Sequence, residues 1–222
     1  MIESSLIKKS YFSNKNDGTN LDNIVSSVST SRKTLLNVAK MKQTHSNEVT
    51  LIHSDGEFLS DGIITSKKGL ALVVQTADCM PVLIKSDRSI AALHVGWRGL
   101  QKNIFTLTLE KLTGSDIKVL IGPHAQRCCY EVQNDVAELF RENLSNKNNK
   151  LYLNLAGQIT NYCQSNNINI QVSDICTICN NNFWSHRENK TSERQYSLIS
   201  VSYTHLRAHE TEADLVCRLL LE

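Results

Sequence analysis

Three short apolar runs between residues 69 and 95 constrain the fold more than any other part of the chain. GLALVV leads into a polar elbow ending at Ala77-Asp78-Cys79, PVLIK follows, Asp87-Arg88-Ser89 turns the chain, and IAALHV closes the series. Short β-compatible runs separated by turns read as adjacent strands. Pro81 has no amide donor and marks a strand start or edge. Cys79 therefore falls in a tight elbow where a thiol can project into a cleft, and His94 closes the third run.

Downstream, Leu100, Ile104, Leu107 and Leu112 fall at helical spacing, with Gly114 as a stop. IKVLIGP (117–123) reads as a buried strand. Val132, Val136, Leu139, Phe140 and Leu144 mark an amphipathic helix, and 145–150 a polar loop. Tyr152 to Cys163 reads as helix, and Ile168 to Val172 as strand. Upstream, residues 13–34 are rich in Ser, Asn, Asp and Thr and read as loop. This order of elements predicts an α/β (α+β) fold, a single-domain layered sandwich with a mixed sheet.

The final stretch, VSYTHLRAHETEADLVCRLLLE, breaks abruptly from the Asn- and Lys-rich style before it. Residues 201–222 resemble a translated adapter or vector scar, so the functional reading is confined to 1–200. Charge excludes one class of partner: 24 basic and 22 acidic residues are interspersed, without the basic stripe of a nucleic-acid binder. No apolar run reaches the roughly 18 residues of a membrane span, and the start lacks a secretory h-region. The seven cysteines, at 79, 128, 129, 163, 176, 179 and 217, form no regular framework. Reduced thiols in a cytoplasmic protein are the expectation.

Against that background, His45, Cys79 and His94 form the sharpest chemical signal. A thiolate and two imidazoles suit zinc, and three protein ligands leave one coordination position open. The separations, 34 positions and then 15, exclude a finger with paired local ligands. The three must converge from different elements, as in catalytic sites. Taken singly, each is unremarkable: Cys79 a small buried thiol, His45 a loop histidine, His94 a satisfied strand-end residue.

Other residues extend the site. Gly96-Trp97-Arg98-Gly99 opens a helix, where free N–H groups and a guanidinium fork suit an anion; otherwise Arg98 is a solvated charge and Trp97 a core plug. Asp61 and Asp78 are candidate proton carriers, Asp61 being equally a simple turn residue. Cys129, ahead of the expected helix at 132, is a nucleophile candidate with a lowered pKa, or else a buried thiol. His124 could line the same cleft or lie in a surface loop. Cys176-Thr-Ile-Cys179 has zinc or redox spacing, yet a second such pair is lacking apart from the adjacent Cys128 and Cys129.

Taken together, KQTHSNEV, SDGIIT, TADCMPVLI, AALHVGWRGL, IGPHAQRCCYEV and FWSHRENKTSER closely resemble the multicopper polyphenol oxidoreductase (laccase-like) family. It is also called the peptidoglycan editing factor family and includes the laccase domain-containing purine nucleoside enzymes. The resemblance implies a fold shared with toxin-type cysteine hydrolases, and metal ligands at His45, Cys79 and His94. It implies phosphorolysis of purine nucleosides and of methylthioadenosine, and adenosine deamination, with inorganic phosphate as co-substrate. Arg98, Asp61 and Cys129 match motif positions, and Gln43, Gly96, Trp97, Arg98 and His124 are taken as facing substrate or phosphate. Thr191-Ser-Glu-Arg194 departs from the family's tighter Thr-Gly-Arg, and the N-terminal region from its Gly-Gly-Val-Ser.

The family label suggests copper, but ligand count argues otherwise. Met80 could serve as a weak axial ligand only if it faced the metal, and in an extended strand it points away from Cys79. A multicopper cluster needs far more than the five histidines outside the tail, at 45, 53, 94, 124 and 186. Zinc is expected instead. Two rivals stay open: a cysteine hydrolase or amidase in peptidoglycan precursor editing, with Cys79 or Cys129 as nucleophile and His94 as base, and a non-catalytic zinc module.

Overall fold

The structure, a computed structural model, describes residues 1–32 and 36–200; the suspect tail at 201–222 lies outside them. In chain order come β1 (Ile2–Glu3), β2 (Ser10–Phe12), α1 (Leu21–Arg32), β3 (Asn37–Lys42), β4 (Val49–Leu51), β5 (Gly56–Leu59), β6 (Gly62–Thr65) and β7 (Leu70–Thr76). Then follow β8 (Met80–Lys85), β9 (Ile90–Val95), α2 (Trp97–Gln101), α3 (Ile104–Lys111), β10 (Lys118–Ile121) and β11 (Glu131–Val132). The chain continues with α4 (Asn134–Ala137), β12 (Leu144–Lys147), β13 (Lys150–Leu153), α5 (Gly157–Ser165), β14 (Asn169–Val172), α6 (His186–Asn189) and β15 (Gln195–Ser200).

Two six-stranded mixed sheets result, ordered β1-β2-β15-β7-β3-β5 and β14-β10-β8-β9-β6-β4, with a small sheet β11-β13-β12 beside them. Leu70, Leu72 and Val74 of β7, Leu83 of β8, and Ile90 and Ala92 of β9 meet in one apolar cluster between the sheets. Their alternate neighbours point outward. Ala71 and Val73 pack with Ile24, Val25 and Val28 of α1. Val82, Ile84, Ala91 and Leu93 pack with Ile104, Phe105 and Ile159 of the opposite helical layer. The architecture is a four-layer α/β/β/α sandwich, as the expected mixed sandwich requires. Burial on both faces is why these strands carry continuous apolar runs instead of alternation.

Five sequence expectations change. β8 and β9 are antiparallel neighbours, but β7 lies in the other sheet, so the elbow at 77–79 crosses between layers. The loop expected over 13–34 contains α1, because its few apolar residues, Leu21, Ile24, Val25 and Val28, sit at helical spacing. The single helix expected over 100–112 is two, broken at Asn103, which adopts φ 61°. The helix from 132 is reduced to α4 and 3₁₀ turns. The polar loop at 145–150 belongs to the β12–β13 hairpin, whose tip Asn148-Asn149 takes φ 52° and 58°, the left-handed pair a tight hairpin demands.

Candidate metal centre

The two sheets bring the three ligands together from separate directions. His45 follows β3 in one sheet, His94 lies on β9 in the other, and Cys79 occupies the crossing between them. Their ligating atoms all lie within 4.8 Å of one another. Cys79 Sγ is 3.7 Å from His45 Nε2, and the His45 and His94 rings meet edge to face with centroids 4.7 Å apart. His45 and Asp78 both adopt left-handed backbone conformations, φ 59° and 85°. Non-glycine residues accept such conformations where surrounding contacts hold them.

Those contacts centre on Asp61, which is fully buried. Its carboxylate accepts the N–H groups of Thr44, His45 and Ser46 at 3.1, 3.1 and 2.7 Å, and the hydroxyls of Thr44 and Ser46 at 3.2 and 2.6 Å. It also meets His94 Nδ1 at 2.7 Å. Burial pushes this carboxyl up, but hydrogen bonds from His94 and Ser46 overcome it and hold Asp61 well below the ordinary carboxylate range. With Nδ1–H directed at Asp61, the other ring nitrogen of His94 is left to bind a metal. Asp61 therefore positions two ligands at once. A carboxylate so occupied is poorly placed for proton transfer.

Asp78 is the second brace. Its carboxylate accepts Thr177 Oγ1 at 2.8 Å and the Arg187 N–H at 2.6 Å, and its carbonyl accepts Ala125 N–H at 2.9 Å. The two glycines of Gly96-Trp97-Arg98-Gly99 have steric causes. A Cβ on Gly96 would lie 3.2 Å from Cys79 Sγ and 3.3 Å from His45 Cδ2, and one on Gly99 would lie 2.9 Å from the Ser46 carbonyl. The converging ligands, the clear space beside them and the oriented His94 fit a zinc-type ion.

Neighbouring groups set the charge states of Cys79 and His94. Burial alone would push the Cys79 thiol up and the His94 imidazole down. Hydrogen bonds with His45 and His94 bring Cys79 to about 6, while Asp61 and Cys79 raise His94 to about 9. Between these values the metal-free pair rests as thiolate and imidazolium. Zinc needs a neutral imidazole, so uptake at pH 7.5 is expected to expel about one proton from the Cys79–His94 pair, rising toward two from that pair below the thiol value and falling toward none above the imidazole value. Calorimetry in buffers of different ionisation enthalpy measures this. Proton release that does not vary with pH contradicts the ion pair.

The centre opens into a cavity of about 420 Å³. Gln43, Asp78, Gly96, Trp97 and Arg98 line it with the three ligands, as do Thr76, Tyr130, His186, Arg187, Lys190 and Arg194. Arg98 stacks on Trp97, 4.3 Å from the ring centroid. Arg187 lies over Tyr130 and donates to the Glu131 carbonyl. Gln43 spends both ends of its amide on the Gln75 main chain, at 2.8 and 3.0 Å. Thr76 Oγ1 is buried without a hydrogen-bond partner among the described residues.

Three expected members are absent from the cavity lining: Asp61, which braces the ligands from behind, His124 and Cys129. His124 is buried, with Nδ1 2.8 Å from the Gly122 carbonyl, and burial depresses it to about 4. Cys129 joins Cys128, Cys176 and Cys179 instead. Its thiol is pushed up by burial and by Cys128 and Cys179, and no helix begins beside it to lower it, since α4 starts only at Asn134. Conversely, sequence reasoning missed Tyr130, Arg187, Lys190 and Arg194. The one available signal was the density of cations in HRENKTSER.

Comparison with known proteins shows what the chain as a whole is similar to. The family described as "Multi-copper polyphenol oxidoreductase laccase" matches residues 7–202. A protein of Aquifex aeolicus (strain VF5) named "Purine nucleoside phosphorylase" is 36% identical over 167 residues, covering 72% of this chain and 81% of its own. One from Clostridium acetobutylicum, also named a purine nucleoside phosphorylase, is 37% identical over 179 residues, with 73% and 76% covered. A solved Neisseria meningitidis structure superposes with a TM-score of 0.74 at 22% identity, covering 90% of this chain and 96% of that one. Bacillus licheniformis YfiH, described as hypothetical, does so at 0.74 and 23%, with 87% and 92% covered. At these identities the structures establish the shared fold.

Proposed function

The chain belongs to the multi-copper polyphenol oxidoreductase laccase family, and from that premise we propose that it is a zinc-dependent purine nucleoside phosphorylase, not a copper oxidase. One observation carries the reading: a single cavity of about 420 Å³ has a His-Cys-His ligand set on one wall and four cationic side chains around it. That volume falls in the range of about 300–1,000 Å³ usual for small-molecule sites. Arg98, from the α2 turn, and Arg187, Lys190 and Arg194, from the α6 segment, reach it from two distant parts of the chain. Such convergence suits a phosphate dianion, which guanidinium forks bind with two parallel hydrogen bonds.

In phosphorolysis a phosphate oxygen forms a bond to ribose C1′ as the C1′–N9 bond breaks. The electron pair leaves with the purine, which takes a proton, and ribose 1-phosphate is the second product. The cations hold the attacking phosphate. Trp97 and Tyr130 offer flat apolar surface to a base, and the Tyr130 hydroxyl, pushed up to about 12 mainly by burial, keeps its proton as a donor. Thr76 Oγ1 offers a further unmet polar group. Held by His45, Cys79 and His94, zinc would supply Lewis acidity at its open position. Methylthioadenosine differs only at the 5′ position. Adenosine deamination requires the purine C6 edge to face the ion, and we propose both as additional activities.

Copper is disfavoured by ligand supply. His124 is committed to a carbonyl, His53 is exposed, and Met80 is buried in the apolar core with Val82 and Val95. The setting we propose is the cytoplasm, where thiols needed as metal ligands stay reduced.

Incubating adenosine, inosine or methylthioadenosine with phosphate is expected to yield free base and the sugar phosphate only when phosphate is present. Absence of these products, and of inosine from adenosine, in a zinc-loaded sample defeats the reading. Arg98→Ala is expected to raise KM for phosphate about ten- to a hundredfold, the loss of a hydrogen bond to a charged group, without removing metal. An unchanged KM for phosphate would exclude Arg98 from that role.

A second reading, a hydrolase of the toxin type, is favoured by the sequence of contacts from Cys79 to His94 to Asp61, which matches nucleophile, base and orienting carboxylate. Against it, His45 sits 3.7 Å from the thiol, where an acyl substrate would have to approach. Zinc protection of Cys79 from alkylation supports the metalloenzyme; rapid alkylation in the zinc-loaded protein supports the hydrolase.

A further inference from the structure

Outside the cavity, a second group of ligand atoms has no part in the proposed reaction. The sulfurs of Cys128, Cys129, Cys176 and Cys179 all lie within 4.8 Å of one another, with Cys128 Sγ 4.0 Å from Cys179 Sγ. We propose that these four cysteines form a structural site for one tetrahedral thiophilic divalent ion, zinc being the ion of choice. Four thiolates at a Zn–S length of about 2.3 Å place sulfurs roughly 3.8 Å apart. Thiolates of an iron–sulfur cluster sit on different irons and lie further apart, so a single ion fits better.

The backbone is organised for it. Two turns distant in sequence carry the ligands, each closed by its own hydrogen bonds: Cys129 N–H and Tyr130 N–H donate to the Gln126 carbonyl, and Asn180 N–H to that of Cys176. The His124–Cys176 bridge holds the turns side by side, with Thr177 N–H donating to the His124 carbonyl at 3.1 Å. At the buried Cys176 sulfur, three main-chain amides converge, those of Gln126 (3.5 Å), Ile178 and Cys179. Amide donors around a ligating sulfur orient it and stabilise the thiolate, as outer-sphere contacts do in metal sites. Four protein sulfurs also leave no open position, which separates this structural site from the three-ligand centre.

Its position gives it a purpose. Ala125 and Thr177, which donate to Asp78, belong to the same two turns as the cysteines. Tyr130 and Glu131, which hold Arg187, continue the first. The ion would pin together segments 51 residues apart and so brace the Cys79 elbow from behind.

Metal analysis of the full chain, purified with reductant and without chelator, is expected to find about two zinc ions per chain, one closed and one open site. Cys79→Ser should retain about one, and its cobalt-loaded form should show the strong thiolate-to-metal bands of a four-sulfur site. Cys128→Ser combined with Cys179→Ser should also retain about one, without those bands; should that variant not fold, the Cys79→Ser protein decides alone. Zinc-free Cys79→Ser protein, or one whose four cysteines all react at once with a thiol reagent as isolated, overturns the proposal.

Discussion

Replacing Cys79 by serine is expected to reduce turnover by roughly a thousandfold or more and to empty the His45–Cys79–His94 centre, while the chain stays folded. The magnitude follows from the several kcal/mol a metal's Lewis acidity supplies at a transition state, at about 1.4 kcal/mol per decade of rate. Serine is nearly the same size, and Cys79 is only partly buried in an elbow whose shape depends on Asp78. The fold therefore has little reason to change. Zinc analysis, circular dichroism and nucleoside turnover on the same preparation form the check. A folded, metal-free variant with full turnover would remove the metal from the mechanism. A variant that keeps the ion but loses turnover would instead favour Cys79 as a nucleophile.

Asp61→Asn should have the largest effect on stability. The carboxylate accepts hydrogen bonds from three main-chain amides, two hydroxyls and His94. An amide side chain turns one acceptor into a donor facing donors, so no rotamer satisfies the set. Breaking a buried charge pair costs about 3–5 kcal/mol, which for a chain of this size lowers Tm by roughly 6–20 °C. Metal affinity should fall about ten- to a hundredfold, as when other supporting contacts behind a ligand are lost. The pH dependence is also specific. Because Asp61 is held below its unfolded value, its stabilisation is fully present above the ordinary carboxylate pKa and is lost only as pH falls toward its own depressed value. The difference in Tm between wild type and variant should thus persist at pH 5 and shrink under stronger acid. A variant with unchanged Tm and zinc affinity would contradict the positioning role.

How much of this was readable from the chain depended on whether the signal was local. His45, Cys79 and His94 stood out as a set, since two imidazoles and a thiol at the ends of turns and strands are a ligand combination, and the fold brings their atoms within 4.8 Å of one another. Arg187, Lys190 and Arg194 were not, since cations in a polar segment look solvated until the fold turns them onto a site about a hundred residues away in sequence. The apolar runs of β7, β8 and β9 declared burial on both faces, but burial does not say which sheet a strand joins. Helix α1 was hidden because composition was weighed over spacing: Ile24, Val25 and Val28 suffice to bury one face among serines and asparagines. Cys128 and Cys129 stood out as the other pair beside Cys176 and Cys179, but adjacent cysteines lack zinc spacing, and only the His124 bridge brings the two turns side by side.

The crossing of the Cys79 elbow between sheets has a mechanical consequence. One ligand follows a strand of the first sheet, one sits on a strand of the second, and the third spans the gap. An ion bound there acts as a rivet through the sandwich, resisting any sliding of one sheet over the other. Hydrogen exchange at the ends of β3 and β9 should accordingly slow together on metal loading, although the two strands share no ladder. On the proposed function, the centre would double as a gauge of alignment between the two halves of the core, active only while they are in register.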